Sequence, residues 1–385
     1  MLVYSGDKRE FLDDVFNDQI VEKIEGCLLN RMGRTVGQSE MRSWQNSMQF
    51  MYKVLLDEEI PSDSGVAIEF NIPQTSKRVD FILSGLDHES NHQAVIIELK
   101  QWSEVHPVHN IEALLKAGSK GVENKVETYL GRGLTETVHP SYQAWSYKTL
   151  INDFNVNVQE VPINLQPCSY LHNYTRKKIG DPLFLPHFSQ YLEEAPVFCK
   201  GDAAKLRSFI KRFIRKGDGL QTLFYIENGE IRPSKSLQDC LLSMLVKNKR
   251  EFTLIDEQEI IYQKVLHAAK QCMVDNKKRV CIIKGGPGTG KTVVAINLLV
   301  QLINAGQVAT YVTKNSAPRY VFEAKLKQGS VKQRDISYLF KNSGFFIESA
   351  SNEFGTILVD EAHRLNKRTQ LGPTVKGEDQ IKEII

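Results

Sequence analysis

Residues 285 to 292 read Gly285-Gly286-Pro287-Gly288-Thr289-Gly290-Lys291-Thr292. They stand directly behind the apolar run Val280-Cys281-Ile282-Ile283 and ahead of the helix-compatible Val293-Val294-Ala295-Ile296-Asn297-Leu298-Leu299. Glycines at 285, 288 and 290 let the backbone turn tightly, so that successive N–H groups face inward at the start of a helix whose dipole favours an anion. Lys291 adds a point charge for β- and γ-phosphates, and the Thr292 hydroxyl is placed to ligate Mg2+. Such a loop holds a nucleoside triphosphate, and ATP is the expected ligand. A glycine-rich turn that merely ends in Lys-Thr is the competing reading, and the strand-like run before it and the helical run after it count against that.

Hydrolysis needs a second strand that delivers carboxylates to the metal and the attacking water. Thr356-Ile357-Leu358-Val359 is a short apolar run ending in Asp360-Glu361-Ala362-His363. A buried parallel strand has this pattern, with charge only at its carboxyl end, where ligands collect in open α/β sheets. Asp360 is expected to hold Mg2+ and Glu361 to polarise the nucleophilic water.

A separate chemistry is written near the start of the chain. Arg78-Val79-Asp80-Phe81-Ile82-Leu83 and Ala94-Val95-Ile96-Ile97-Glu98-Leu99-Lys100 are two β-like runs joined by the turn-rich segment 84–93, which predicts a hairpin. Pairing puts Asp80 beside Glu98, and the period of two puts Glu98 and Lys100 on one face. Two carboxylates and an ammonium at one point are costly unless compensated, and a divalent metal compensates them. A surface ion pair on a hairpin is the alternative.

The elements that must position these groups follow from bulk properties and local pattern. The chain has 385 residues, 41% hydrophobic and 25% charged, a composition expected of an ordinary soluble protein of two or three domains. The start of the chain carries no signal-like segment and no apolar stretch is of spanning length, so no membrane partner is expected. Six cysteines (Cys27, Cys168, Cys199, Cys240, Cys272 and Cys281) lack paired spacing, which fits a reducing cytoplasm and predicts no iron–sulphur cluster. A net charge of +3 is too small to argue for nucleic acid. Between the two motif regions, Lys205 to Lys216 reads as a helix with Leu206, Phe209, Ile210, Phe213 and Ile214 on one face and six cations on the rest, closed by Gly217. That cationic side is either a phosphate-facing surface or a solvated face. Two β-like runs, 161–165 and 168–172, close the first region. The expected domains are 1–175, a mainly helical connector 176–250 entered through Gly180-Asp181-Pro182, and 251–385.

The phosphate loop followed by Asp360-Glu361-Ala362-His363 resembles the first RecA-like domain of superfamily 1 helicases. More closely, Tyr311-Val312-Thr313-Lys314-Asn315-Ser316-Ala317-Pro318-Arg319 and Asp360 to Asn366 look like the helicase-like domain of the Schlafen group and its bacterial relatives. The resemblance implies a parallel-sheet P-loop domain and assigns Thr313, Asn315 and Arg319 to single-stranded nucleic acid. It also likens Phe252 to Gln258 to an adenine-reading segment in which Gln258 meets the base, a residue that otherwise reads as a helix cap. Only 22 residues follow His363, whereas such a motor needs a second RecA-like domain, in the same chain or in a partner, to supply arginine fingers. The expectation is therefore a fragment, a truncated gene product or one half of a split motor, one that binds ATP more readily than it hydrolyses it.

Asp80 followed by Glu98-x-Lys100 resembles the PD-(D/E)xK nuclease superfamily, which implies a restriction-endonuclease-like α/β fold. Gln143-Ala144-Trp145-Ser146-Tyr147 matches the Gln-x-x-x-Tyr element of its RecB-like branch, and Glu40, heading a helical segment, matches the carboxylate contributed by the first helix. By that resemblance, Asp80, Glu98 and the Leu99 carbonyl hold Mg2+ or Mn2+, Lys100 orients the water or stabilises the transition state, and Glu40 completes the metal shell or helps bind a second ion. Gln143 and Tyr147 then position substrate phosphate or a metal-bound water. The combined expectation is an ATP-binding, metal-dependent nuclease acting on DNA or RNA, as in DNA repair or defence against foreign DNA. A nucleotide-switched nucleic-acid-binding protein without cleavage is the alternative.

Overall fold

The structure, a computed structural model, describes residues 2–32, 35–72, 77–109, 124–131, 133–230, 253–286, 288–314, 339–349, 353–367, 370–371, 374–375 and 379–385. The chain divides into two compact units, Met1–Ser234 and Lys235–Ile385.

The first unit opens with strand β1 (Tyr4–Asp7) and helices α1 (Lys8–Phe16), α2 (Ile20–Met32) and α3 (Gln38–Leu55). Asp7 and Glu10 form a reciprocal capping box at the start of α1. Along α3, Trp44, Met48, Met51 and Leu55 recur at helical spacing and are buried against the sheet. Three antiparallel strands follow: β2 (Gly65–Asn71), β3 (Arg78–Leu86) and β4 (His92–Lys100). After the side hairpin β5 (Lys125–Leu130) and β6 (Gly133–Val138) come helices α4 (Pro140–Phe154) and α5 (Val156–Glu160). Strand β7 (Asn164–Leu171) then enters parallel to β4, and past helix α6 (Ser189–Glu194), β8 (Val197–Cys199) runs parallel to β7. The sheet order is β1-β2-β3-β4-β7-β8.

Both faces of this sheet are covered, which is why Val95, Ile96 and Ile97 of β4 are fully buried in succession. One core holds Trp44, Met51, Ile68, Phe81, Val95 and Ile97, and the other holds Phe70, Ile82, Ala94, Ile96, Tyr147 and Ile151. Helix α7 (Ala203–Phe213) places Leu206 and Ile210 in the first core, and α8 (Gln221–Asn228) places Leu223 and Ile226 in the second. The described part of the expected connector is thus built into the first unit, contributing a strand and both of these helices.

Two local expectations change. The expected break between the runs 161–165 and 168–172 is absent: a single strand spans Asn164–Leu171, with Pro167 in the ladder opposite Ile96, and residues 161–163 precede it without strand structure. Helix α7 ends at Phe213, three residues before Lys216. Gly217 does not cap it; a Cβ there would collide with the Asp63 carboxylate, so glycine serves close approach.

In the second unit, helix α9 (Asp256–Asp275) and helix α10 (Lys291–Asn304) pack with a three-stranded parallel sheet. Its strands are β9 (Ala309–Thr313), β10 (Phe340–Lys341) and β11 (Thr356–Asp360), in the order β10-β9-β11. Leu254, Tyr262, Ile296, Leu299, Tyr311 and Phe340 form its core. The pair β12 (Gln370–Leu371) and β13 (Thr374–Val375) and the short helix α11 (Gln380–Ile384) follow.

The strand expected at Val280-Cys281-Ile282-Ile283 is not formed. Those residues have no regular structure, and Val280 and Ile282 are 64% and 79% exposed. An apolar run becomes a strand only when a neighbour supplies its ladder, and among the described residues β11 is paired on its β9 side alone.

Candidate functional site

The hairpin assembles as its sequence predicts. Phe81 pairs with Ile97 and Ile82 with Ile96, which carries Asp80 to the level of Glu98. Leu99 donates its backbone N–H to Asp80 Oδ2 at 2.8 Å, and Lys100 Nζ meets Glu98 Oε1 at 2.7 Å. Glu98 is only 2% exposed. Burial pushes the Asp80 carboxyl above the usual carboxylate range, against the pull of Lys100, the Leu99 N–H and Arg78. The hard oxygen donors of Asp80 and Glu98 suit Mg2+ or Mn2+, and a dication there would oppose the burial that now disfavours charge on Asp80.

One member of this cluster was not among the sequence candidates. Glu69 lies in β2 with φ of +57°, a left-handed conformation inside a strand. Ladder pairs exist on either side, Ile68 with Phe81 and Phe70 with Val79. Ile68 and Phe81 belong to one core, Phe70 and Val79 to the other, so side-chain alternation reverses phase at this step. The reversal leaves Glu69 free to reach Trp44, whose indole Nε1 donates to it at 2.7 Å. Arg78 then bridges Glu69 (2.8 Å) and Glu40 (2.9 Å). Burial, then the nearby Asp80, raise the Glu69 carboxyl to about 7, while Arg78 and Trp44 work the other way. Its sequence signal was a single acid in the apolar strand Val66-Ala67-Ile68-Glu69-Phe70.

Glu40 heads α3 as expected, linked to the cluster through Arg78. Gln143 and Tyr147 fall one turn apart on α4, with Gln143 Nε2 donating to the Tyr147 hydroxyl at 2.8 Å. Tyr147 packs in the core that contains Ala94 and Ile96. Alternation along β4 sends Glu98 and Lys100 to that same face. The helix is capped by His139, whose Nδ1 accepts from the Ser141 N–H while Nε2 donates to the Leu183 carbonyl.

In the second unit, Gly288 and Gly290 take φ of +72° and +78°, and α10 begins at Lys291. A Cβ on Gly285 would press within 2.8 Å of the Thr289 hydroxyl. Lys291 Nζ donates to the Gly285 and Gly286 carbonyls at 3.0 and 2.7 Å, curled over the loop. Thr292 Oγ1 donates to Asp360 Oδ2 at 2.9 Å, so the two residues expected at the nucleotide's metal are neighbours. Glu361, at φ +53°, donates its N–H to Asp360 Oδ1 and carries His363 at 3.3 Å from its carboxylate. Thr313 is buried and pairs with Asp360 in the ladder. Gln258 accepts from the Ile255 N–H, capping α9, and donates to the Thr289 carbonyl, tying that helix to the glycine-rich loop. Pro287, Asn315 and Arg319 lie outside the described residues.

On α7 three of the four cations have acidic or carbonyl partners within the unit, and the fourth, Arg212, lies over the ring of Phe213. Arg207 donates to the Val54 and Lys53 carbonyls and Lys211 pairs with Asp57 and Glu59, while Lys205 pairs with Asp202. No described helix is long and apolar enough to cross a membrane.

Residues 278–385 match the family described as Schlafen group 3, DNA/RNA helicase domain. That span contains the glycine-rich loop that ends in Lys291 and Thr292, as well as Thr313, Asp360 and Glu361. Neither the curated proteins nor the solved structures contain a match to this chain.

Proposed function

We propose that this protein is a nucleic-acid-processing enzyme in which a metal-dependent nuclease in the first unit is joined to an ATP-binding, helicase-like module in the second. The observation that carries the nuclease half is the meeting of Asp80 with Glu98 across the β3–β4 pair, with Lys100, one pleat further along β4, paired to Glu98. Support comes from the order of elements around it: α3, then antiparallel β2-β3-β4, then α4, then β7 parallel to β4. That order places Glu40 ahead of the hairpin and Gln143 and Tyr147 behind it. The helicase-like half is supported by the matched family and by the Thr292–Asp360 bond.

Asp80 and Glu98 would hold Mg2+ or Mn2+ at the nuclease site, and Thr292 and Asp360 would hold Mg2+ with ATP. A divalent ion supplies charge neutralisation at phosphate and a water of lowered pKa. Around the first, the Leu99 N–H fixes the Asp80 carboxylate, and Glu98 holds the Lys100 ammonium at the site, where it can stabilise negative charge on a scissile phosphate. Arg78 keeps Glu40 and Glu69 from meeting as like charges. Around the second, the loop N–H groups cradle phosphate, Lys291 exchanges its carbonyl partners for phosphate oxygens, and Glu361 orients the attacking water.

The experiment is cleavage of plasmid DNA and of labelled single-stranded DNA and RNA with Mg2+ or Mn2+, by the wild type and by Glu98→Ala and Lys100→Ala. Loss of metal-dependent product in both variants, with nucleic-acid affinity retained, is the expected result. Product formation that persists in them overturns the assignment. Tight nucleic-acid binding by the wild type with no product under any metal leaves a nucleotide-switched binding protein in its place.

A further inference from the structure

The phenol of Tyr311 is 1% exposed and lies in the middle of β9, where the resemblance to helicases assigns it nothing. Its hydroxyl donates to Asp360 Oδ2 at 2.5 Å, the same oxygen that accepts from Thr292. Asp360 Oδ1 takes the Glu361 N–H at 3.0 Å. Three donors therefore fix this carboxylate among the described residues. The β9–β11 register accounts for the reach: Tyr311 pairs with Leu358 and Thr313 with Asp360, so Tyr311 sits one pleat back from the Asp360 level. Its ring packs edge-on to Phe340 with centroids 5.8 Å apart.

The three donors differ in what else they must do. Thr292 opens α10 at the end of the phosphate loop, where its oxygen is wanted by the metal that accompanies a nucleotide. The Glu361 N–H holds the other carboxylate oxygen and cannot replace it. We propose that Tyr311 is a positioning residue of the nucleotide-metal site, anchoring Asp360 so that Thr292 can exchange its bond to this carboxylate for Mg2+ without the carboxylate losing its orientation. The proposal rests on reading Thr292 and Asp360 as the metal pair.

The test compares binding of a fluorescent ATP analogue to full-length wild type and Tyr311→Phe, in saturating Mg2+ and in EDTA. Loss of one hydrogen bond to a charged group predicts about a tenfold fall in affinity with Mg2+ and little change in EDTA. The phenyl ring keeps its contact with Phe340, so the melting temperature should hold. Because Tyr311 acts through Asp360, adding Tyr311→Phe to Asp360→Asn should cost no further Mg2+-dependent affinity. Equal losses with and without Mg2+, or additive losses in the double variant, overturn the role. Wild-type affinity that is indifferent to Mg2+ overturns the metal pair itself, and Tyr311's role with it.

Discussion

The backbone N–H of Leu99 donates to Asp80 Oδ2 at 2.8 Å, across the pair of strands that carries the candidate nuclease residues. Leu99 lies between Glu98 and Lys100, so this bond sets Asp80 against both at once. It also holds in place a carboxylate that burial disfavours.

Asp80→Asn retains an acceptor for the Leu99 N–H and removes a charge from a crowded, buried site. Metal-dependent cleavage should fall at least a hundredfold, while the melting temperature in EDTA should be unchanged or higher, a trade of function for stability. A melting temperature several degrees below wild type would contradict the account of Asp80 as a strained functional group.

Glu69 holds its proton more tightly in the folded chain than in the unfolded one, where its carboxyl titrates near 4.5. Its contribution to stability is therefore fully present below about 4.5 and is lost as pH rises through about 7. Chemical denaturation across that window should show stability falling with pH, and Glu69→Gln should flatten the slope. An unchanged slope in the variant would remove Glu69 as its source.

His139 behaves in the opposite sense. Burial lowers its imidazole to about 3, and Nδ1 must stay unprotonated to accept from the Ser141 N–H at the start of α4. Its contribution is present above the ordinary histidine value near 6.5 and is lost as pH falls toward 3. Histidine NMR should show a ring still neutral at pH 5; a ring titrating near 6.5 would refute the buried cap. His139→Ala should destabilise by roughly 1 kcal/mol or more, since a helix cap is lost.

Lys291→Ala should abolish detectable ATP binding in an equilibrium assay, because the loop then lacks its only cation in the Gly285–Thr292 segment. Gly290→Ala should weaken binding for another reason. Its φ of +78° is unfavourable for alanine by roughly 1–2 kcal/mol, and the new Cβ meets the Gln258 amide. Unaltered affinity in either variant would argue against a nucleotide loop of this shape.

The hairpin was legible because its two apolar runs flank a polar, turn-rich segment, and antiparallel pairing then leaves little choice of register for Asp80 and Glu98. The paired strand β11 and helix α10 were legible for similar reasons, each having a charged or glycine-marked end. Glu69 was not, since its meaning depends on β2 lying beside β3 and on a backbone reversal that no residue type announces. The run 280–283 misled because apolar composition reports burial potential, whereas a strand also needs a ladder, and the run forms none with the open side of β11. For α7, periodicity showed a buried face, but only the fold shows that Leu206 and Ile210 share a core with Met51 and Ile97.

Strand β4 has two kinds of neighbour, β3 joined by a five-residue turn and β7 reached only after the β5–β6 hairpin and α4. Closing the short loop costs little chain entropy, whereas the parallel pairing requires a long excursion first. Asp80 and Glu98 should therefore be brought together early in folding, before α4 delivers Gln143 and Tyr147.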